Sequence, residues 1–141
     1  MKKFRSILLI DDDEISNFLC EETIKMTDIA KEVMTFINAD DALNYLSKKG
    51  QKEFPDLIFL DINMPGMDGW EFLEDFKRLK AAIRRKVTII ILSSSKYKLD
   101  VERSKQFIEV EEYISKPLTT EILSTILNKY APNYSEASTY S

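Results

Sequence analysis

The sequence predicts an α/β domain with a five-stranded parallel sheet, doubly wound from βα units in series. Short apolar runs of strand length alternate five times with amphipathic stretches of helical period. The central runs, 57–60 and 87–92, are almost wholly apolar, as strands covered by helices on both faces must be. Length agrees: 141 residues make one domain of ordinary size, and 44% apolar residues are enough for a core.

The elements follow in order. A first strand is expected at 6–10. A helix over 15–26 follows, with Ile15, Phe18, Leu19 and Thr23 at helical spacing. A second strand at 32–36 leads to a helix beginning near Asp40, carrying Ala42, Leu43, Tyr45 and Leu46, with Gly50 as its C-terminal stop. The third strand is 57–60. The helix after Gly69 carries Trp70, Leu73, Phe76 and Leu79. The fourth strand is 87–92, with a helix over 98–107. The fifth strand is 112–115, and the last helix, 119–130, carries Ile122, Leu123, Ile126 and Leu127 on one face. Beyond Pro132 the chain turns to Asn, Ser, Ala, Thr and Tyr without apolar period, so 132–141 is expected to be a flexible tail on a domain of 4–131.

Two strands end in acid. Residues 7–10 run into Asp11, Asp12, Asp13 and Glu14; residues 57–60 deliver Asp61 into the loop Ile62-Asn63-Met64-Pro65-Gly66-Met67-Asp68-Gly69. Open α/β sheets place their sites at the carboxyl ends of their strands. Carboxylates gathered there repel unless a cation sits among them, and hard oxygen ligands suit Mg2+ or Mn2+. Asp13 and Glu14 read as favourable charges at a helix N-terminus. Asp68-Gly69 reads as a turn and helix start.

Composition excludes several classes. A net charge of −4 argues against a nucleic-acid surface. The basic residues Lys77, Arg78, Lys80, Arg84, Arg85 and Lys86 read as a solvated helix face and its loop. The single cysteine, Cys20, allows no internal disulfide, and the absence of histidine weighs against thiol or serine catalysis and zinc. The apolar stretch after Met1-Lys2-Lys3-Phe4 is too short for a signal peptide, and no segment could span a membrane, so a cytoplasmic protein is expected.

Three strings together, Ile7-Leu8-Leu9-Ile10-Asp11-Asp12, Asp61 through Gly69, and Tyr113-Ile114-Ser115-Lys116-Pro117-Leu118, resemble the receiver domain of two-component response regulators, in particular single-domain receivers of the chemotaxis kind. The resemblance covers about residues 4–131. It implies a flavodoxin-like fold with strand order 2-1-3-4-5. It implies that Asp61 accepts a phosphoryl group from a sensor histidine kinase or histidine phosphotransfer protein. Asp11, Asp12, Asp61 and the backbone carbonyl of Asn63 are implied ligands of Mg2+, with Mn2+ able to substitute. Lys116 is implied to pair with the phosphoryl oxygens, Ser93 to donate its hydroxyl to them, and Pro117 to follow a cis peptide. Ser93 and Tyr113 are the implied switch pair, acting on a target-binding face made of the fourth helix, fifth strand and fifth helix. Asn63 and Ser95 are the implied determinants of phosphoryl lifetime. Such a chain is a signalling switch rather than an enzyme, with output by protein contact or by passing the phosphoryl group on in a phosphorelay.

Three positions depart from the family pattern. Strand four ends in Ser93 where many members carry Thr, which keeps the hydroxyl; Ser94 stands where a small residue is needed for access to Asp61, and serine still qualifies; and Ser104-Lys105-Gln106-Phe107-Ile108-Glu109 replaces a small Gly-Ala pair before strand five. Two rivals were weighed. A Mg2+-dependent phosphatase of the haloacid dehalogenase kind uses a second Asp two residues after the nucleophile, and here that position is Asn63. A pseudo-receiver would lack members of the set Asp11, Asp12, Asp61, Ser93 and Lys116, all of which are present.

Overall fold

The computed structural model describes residues 3–50, 53–82, 86–94 and 98–132. Ser95, Arg84, Arg85 and all of the expected tail except Pro132 lie outside the described residues. The elements are β1 (Phe4–Ile10), α1 (Glu14–Thr27), β2 (Ala30–Phe36), α2 (Ala39–Ser47), β3 (Leu57–Leu60), α3 (Gly69–Lys80), β4 (Thr88–Ser93), α4 (Lys98–Ser104), β5 (Val110–Ser115) and α5 (Thr120–Tyr130). The strands form one parallel sheet in the order β2-β1-β3-β4-β5, as predicted.

The period of two along each strand splits the core into two layers. Leu8, Ile10, Ile58, Leu60, Ile89 and Ile91 face α2 and α3, which contribute Ala42, Leu46, Leu73 and Phe76. Ile7, Leu9, Leu57, Phe59, Ile90 and Leu92 face α1 and α5, which contribute Cys20, Ile24, Leu123 and Ile126. Four of the five helices, α1, α2, α3 and α5, start at a built cap. Asp13, Asn38, Asp68 and Thr119 accept backbone N–H groups, and Asp68 forms a capping box with Glu71.

Four expectations need correction. The stripe predicted to bury α1 faces outward: Ile15 is 71% exposed, Phe18 60% and Leu19 58%, whereas Asn17, Cys20 and Ile24 are buried. At 100° per residue these two sets lie on opposite sides of the helix, and Asn17 is drawn inward by two carbonyl groups. Gly50 does not cap α2. That helix ends at Ser47, its cap Lys48 is right-handed, and the one positive-φ glycine among the described residues is Gly66 at 74°. α4 stops at Ser104, short of Phe107, because the N–H groups of Lys105, Gln106 and Phe107 turn back to carbonyls three residues earlier. β1, β2 and β5 each begin two residues earlier than predicted, at Phe4, Ala30 and Val110.

The early end of α4 has a packing consequence. Phe107 is buried and stacks on Trp70 of α3, with ring centroids 5.7 Å apart. The guanidinium of Arg103 lies 4.7 Å above the Trp70 ring, and the Lys77 ammonium lies 5.1 Å from the Phe107 ring. This aromatic contact ties the α4–β5 connection to α3.

Candidate functional site

The site lies where β1 and β3 end side by side. Leu60 pairs with Ile10, and the Asp61 N–H donates to the Ile10 carbonyl at 2.9 Å, so Asp11 and Asp61 leave adjacent strand ends together. Both are buried, while Asp12 is exposed. One carboxylate oxygen from each of Asp11, Asp12 and Asp61 falls within 4.8 Å of the others.

The expected repulsion is relieved from within the chain. Lys116, which follows β5, places Nζ 2.5 Å from Asp11 Oδ2 and 3.4 Å from Asp61 Oδ2. The backbone prepares this reach: Ser93 is paired with Ser115, the Lys116 N–H donates to the Ser93 carbonyl at 2.9 Å, and the Lys116–Pro117 peptide is cis. Burial lowers the Lys116 ammonium, but the Asp11 hydrogen bond and the charges of Asp61 and Asp11 outweigh it, and the net shift is upward. It is the charged form that sits between the acids.

Asp61 is held less fully. Its Oδ1 accepts the Asn63 N–H at 3.1 Å. Burial pushes the Asp61 carboxyl above its ordinary value; the Asn63 N–H and Lys116 oppose this, and Asp11 adds to it. The loop beyond is shaped by Gly69. Its N–H donates to the Ile62 carbonyl, and a Cβ there would stand 2.6 Å from Ile62 Cα and 2.9 Å from the Asp61 carbonyl oxygen. Only glycine lets the start of α3 come this close to the strand that carries Asp61.

The other predicted residues fall around this centre. Ser93 ends β4 wholly buried. Asn63 is exposed on the loop after Asp61. Tyr113 is half-buried on β5 opposite Ile91, packed against the layer that contains Trp70 and Phe107. On the same strand Glu112 accepts from the Tyr130 hydroxyl and from Lys129, which ties α5 to β5. Three hard oxygen donors at this spacing, one of them exposed to solvent, fit a divalent cation of the Mg2+ type.

Asn17 escaped sequence reasoning. It is buried, and its Nδ2 donates to the Asp11 carbonyl at 2.9 Å and to the Phe36 carbonyl at 3.2 Å. The one signal was a polar residue amid an apolar-rich helix, seven residues after the first strand. Outside the acids, a groove of ≈ 330 Å³ runs between α1 and the Lys116–Leu118 segment, lined in part by Ile15, Leu19, Ser94 and Lys116.

The chain is similar to known proteins. The family model described as the response regulator receiver domain matches residues 7–128. The response regulator Rcp1 of Synechocystis sp. is 29% identical over 78% of this chain and 75% of its own length. A two-component response regulator of Cytophaga hutchinsonii superposes with a TM-score of 0.84 at 37% identity, covering 92% of this chain and 98% of that one. The phosphorylated cyanobacterial phytochrome response regulator RcpA superposes with a TM-score of 0.70 at 28% identity, covering 87% of this chain and 88% of that one.

Proposed function

Because this chain belongs to the response regulator receiver family, we propose that it is a phosphoacceptor switch in which Asp61 takes a phosphoryl group from a phosphohistidine of a sensor histidine kinase or histidine phosphotransfer protein. The observation that carries the reading is the buried Asp61 carboxylate, 3.4 Å from the Lys116 ammonium and within 4.8 Å of oxygens from Asp11 and Asp12. That a similar receiver exists phosphorylated supports it.

An Asp61 carboxylate oxygen attacks phosphorus; the new O–P bond forms as the donor's N–P bond breaks, and the imidazole leaves. The product is an acyl phosphate. Asp11, Asp12, Asp61 and the Asn63 carbonyl would hold Mg2+, or Mn2+ in its place, which when bound would supply positive charge to offset that of the phosphoryl group. Lys116 is already charged and paired with Asp11 and Asp61; it turns to the phosphoryl oxygens as a point charge. The Ser93 hydroxyl then donates to the attached group, and Tyr113 turns inward, reshaping the face of α4, β5 and α5 that meets the downstream target. Asn63 and Ser95 set the lifetime of the acyl phosphate through their effect on attacking water.

The phosphodonor docks on α1. Its outward apolar residues Ile15, Phe18 and Leu19 adjoin the groove that reaches Lys116, so a helix seated there brings its histidine to the pocket mouth. The functional unit is residues 4–131, working in the cytoplasm without nucleic-acid or membrane partners and without catalysis beyond its own phosphorylation and dephosphorylation. Its output passes by contact with a protein target or onward in a phosphorelay. Among the described residues no helix is long and apolar enough to cross a membrane.

The test is incubation with a small-molecule acyl phosphodonor and Mg2+, followed by mass spectrometry of peptides. One phosphoryl group on Asp61, dependent on Mg2+, is expected. A phosphoryl group on another residue, or none, overturns the reading.

A further inference from the structure

We infer that Asn17 is a positioning residue for the acidic pocket: its side-chain amide clips the Asp11 carbonyl to the end of β2 and thereby sets the direction in which Asp12 leaves the loop. This rests on the reading of Asp11, Asp12 and Asp61 as Mg2+ ligands.

Asp11 is held at every polar atom. Its N–H donates to the Phe36 carbonyl at 3.0 Å, its Oδ1 accepts the Asp13 N–H at 3.0 Å, and its Oδ2 accepts from Lys116 at 2.5 Å. Its carbonyl oxygen accepts Asn17 Nδ2 at 2.9 Å. Asn17 Nδ2 also reaches the Phe36 carbonyl, at 3.2 Å, the same oxygen that receives the Asp11 N–H. Both acceptors are carbonyl oxygens, so both contacts use the NH2 end of the side chain. One buried amide thus joins the carboxyl ends of β1 and β2.

The Asp11 carbonyl belongs to the peptide plane shared with Asp12. A peptide is rigid, so fixing its oxygen fixes the plane from which Asp12 departs. Asp12 is exposed and takes its aim from that plane. An apolar side chain at position 17 would leave the Asp11 carbonyl without this donor in a buried place. The cheapest relief is for the carbonyl to turn toward water, which rotates the plane and carries Asp12 away from Asp61. Partners that orient ligands from behind affect metal affinity in this way.

A merely structural asparagine would affect stability alone, so the test separates the two. Mg2+ is titrated by calorimetry into the wild type, Asn17→Leu, Asn17→Ala and Ile24→Ala, at a temperature where each is folded. Amide resonances of the Mg2+-free proteins are compared as well. Ile24 is buried on the same helix, seven residues beyond Asn17, within the apolar layer between the sheet and α5. We expect the Asn17 variants to bind Mg2+ about tenfold more weakly and to shift the Asp12 and Asp13 amide signals before any Mg2+ is added. Ile24→Ala should unfold earlier yet keep its Mg2+ affinity. Wild-type affinity in a folded Asn17 variant, or equal weakening by Ile24→Ala, overturns the inference. So does failure of both Asn17 variants to fold, which would make Asn17 a folding residue first. No Mg2+ uptake by the wild type itself would instead sink the metal reading, and the inference with it.

Discussion

Strand β3 carries a buried acid at each end, and the two are treated differently. Asp56, 4% exposed, precedes the strand; Asp61, 7% exposed, follows it. The Asp56 side chain accepts the Arg5 N–H at 2.6 Å, its own N–H donates to the Ser6 carbonyl, and its carbonyl receives the Thr88 N–H. It staples three strands at the amino edge of the sheet. Asp61 has a longer contact to the Asn63 N–H, a lysine at 3.4 Å that lies closer to Asp11, and a carboxyl raised by burial. Equal burial therefore gives one acid that is spent on backbone and one that is kept available.

The sharpest way to break this comparison is to remove each acid. Asp61→Asn should fold and gain no phosphoryl group, because an amide oxygen is a poor nucleophile. Asp56→Ala should still be phosphorylated but lose about 1–3 kcal/mol of stability, the cost of orphaning a buried donor. Mass spectrometry and urea unfolding read the two effects, and loss of phosphorylation in folded Asp56→Ala would erase the distinction. Next in size is Lys116→Ala, which leaves Asp11 and Asp61 facing each other. Breaking a fully buried pair costs roughly 3–5 kcal/mol; Lys116 is partly exposed, so about 2 kcal/mol is expected here. Mg2+ should restore more melting temperature to this variant than to the wild type, and an equal response in both would argue against a shared pocket.

Glycines at the two ends offer a milder comparison. Gly69→Ala meets backbone at 2.6 Å and should cost about 1–3 kcal/mol. At Gly50 the nearest group to a new Cβ is a flexible Glu53 side chain at 3.8 Å, so Gly50→Ala should be within about 0.5 kcal/mol of neutral. Chemical denaturation of both variants decides it. The smallest effect concerns pH. The folded, metal-free protein raises the Asp61 carboxyl above its ordinary 3.8, so the native state holds that proton more tightly than the unfolded chain. The stability this contributes is present at low pH and is lost as pH rises through the raised value. Asp61→Asn should accordingly melt higher than wild type at pH 7, with the gap closing as pH falls toward 3.8. A gap that stays constant with pH would remove burial as the cause.

The strand ends were legible because a lone acid closing an apolar run has little structural use, and the order of the sheet followed from the resemblance those ends carry. α1 was not legible. An apolar stripe at helical spacing says that a helix has two faces, but not which one meets the sheet. Here Cys20 and Ile24 fill the core while Asn17 spends its burial on two carbonyls. Those carbonyls come from Asp11 and Phe36, residues that approach only after β1 and β2 pair. Gly50 failed for a related reason, since glycine permits a left-handed cap without demanding one. The helix end at Ser104 was not legible either: it goes with Phe107 stacking on Trp70, a contact far apart in sequence that no local pattern announces.

Trp70 is the protein's one tryptophan. It directly follows Gly69, where a Cβ would meet the Asp61–Ile62 backbone, and its ring is covered by Arg103 of α4 and by Phe107 just beyond that helix. Its emission thus comes from a single indole, next in the chain to the glycine that rests on the Asp61 loop and in contact with Arg103 of α4. The molecule carries its own optical gauge: a fluorescence trace during phosphodonor addition reads, without any attached dye, whether Arg103 and Phe107 keep their cover on the indole.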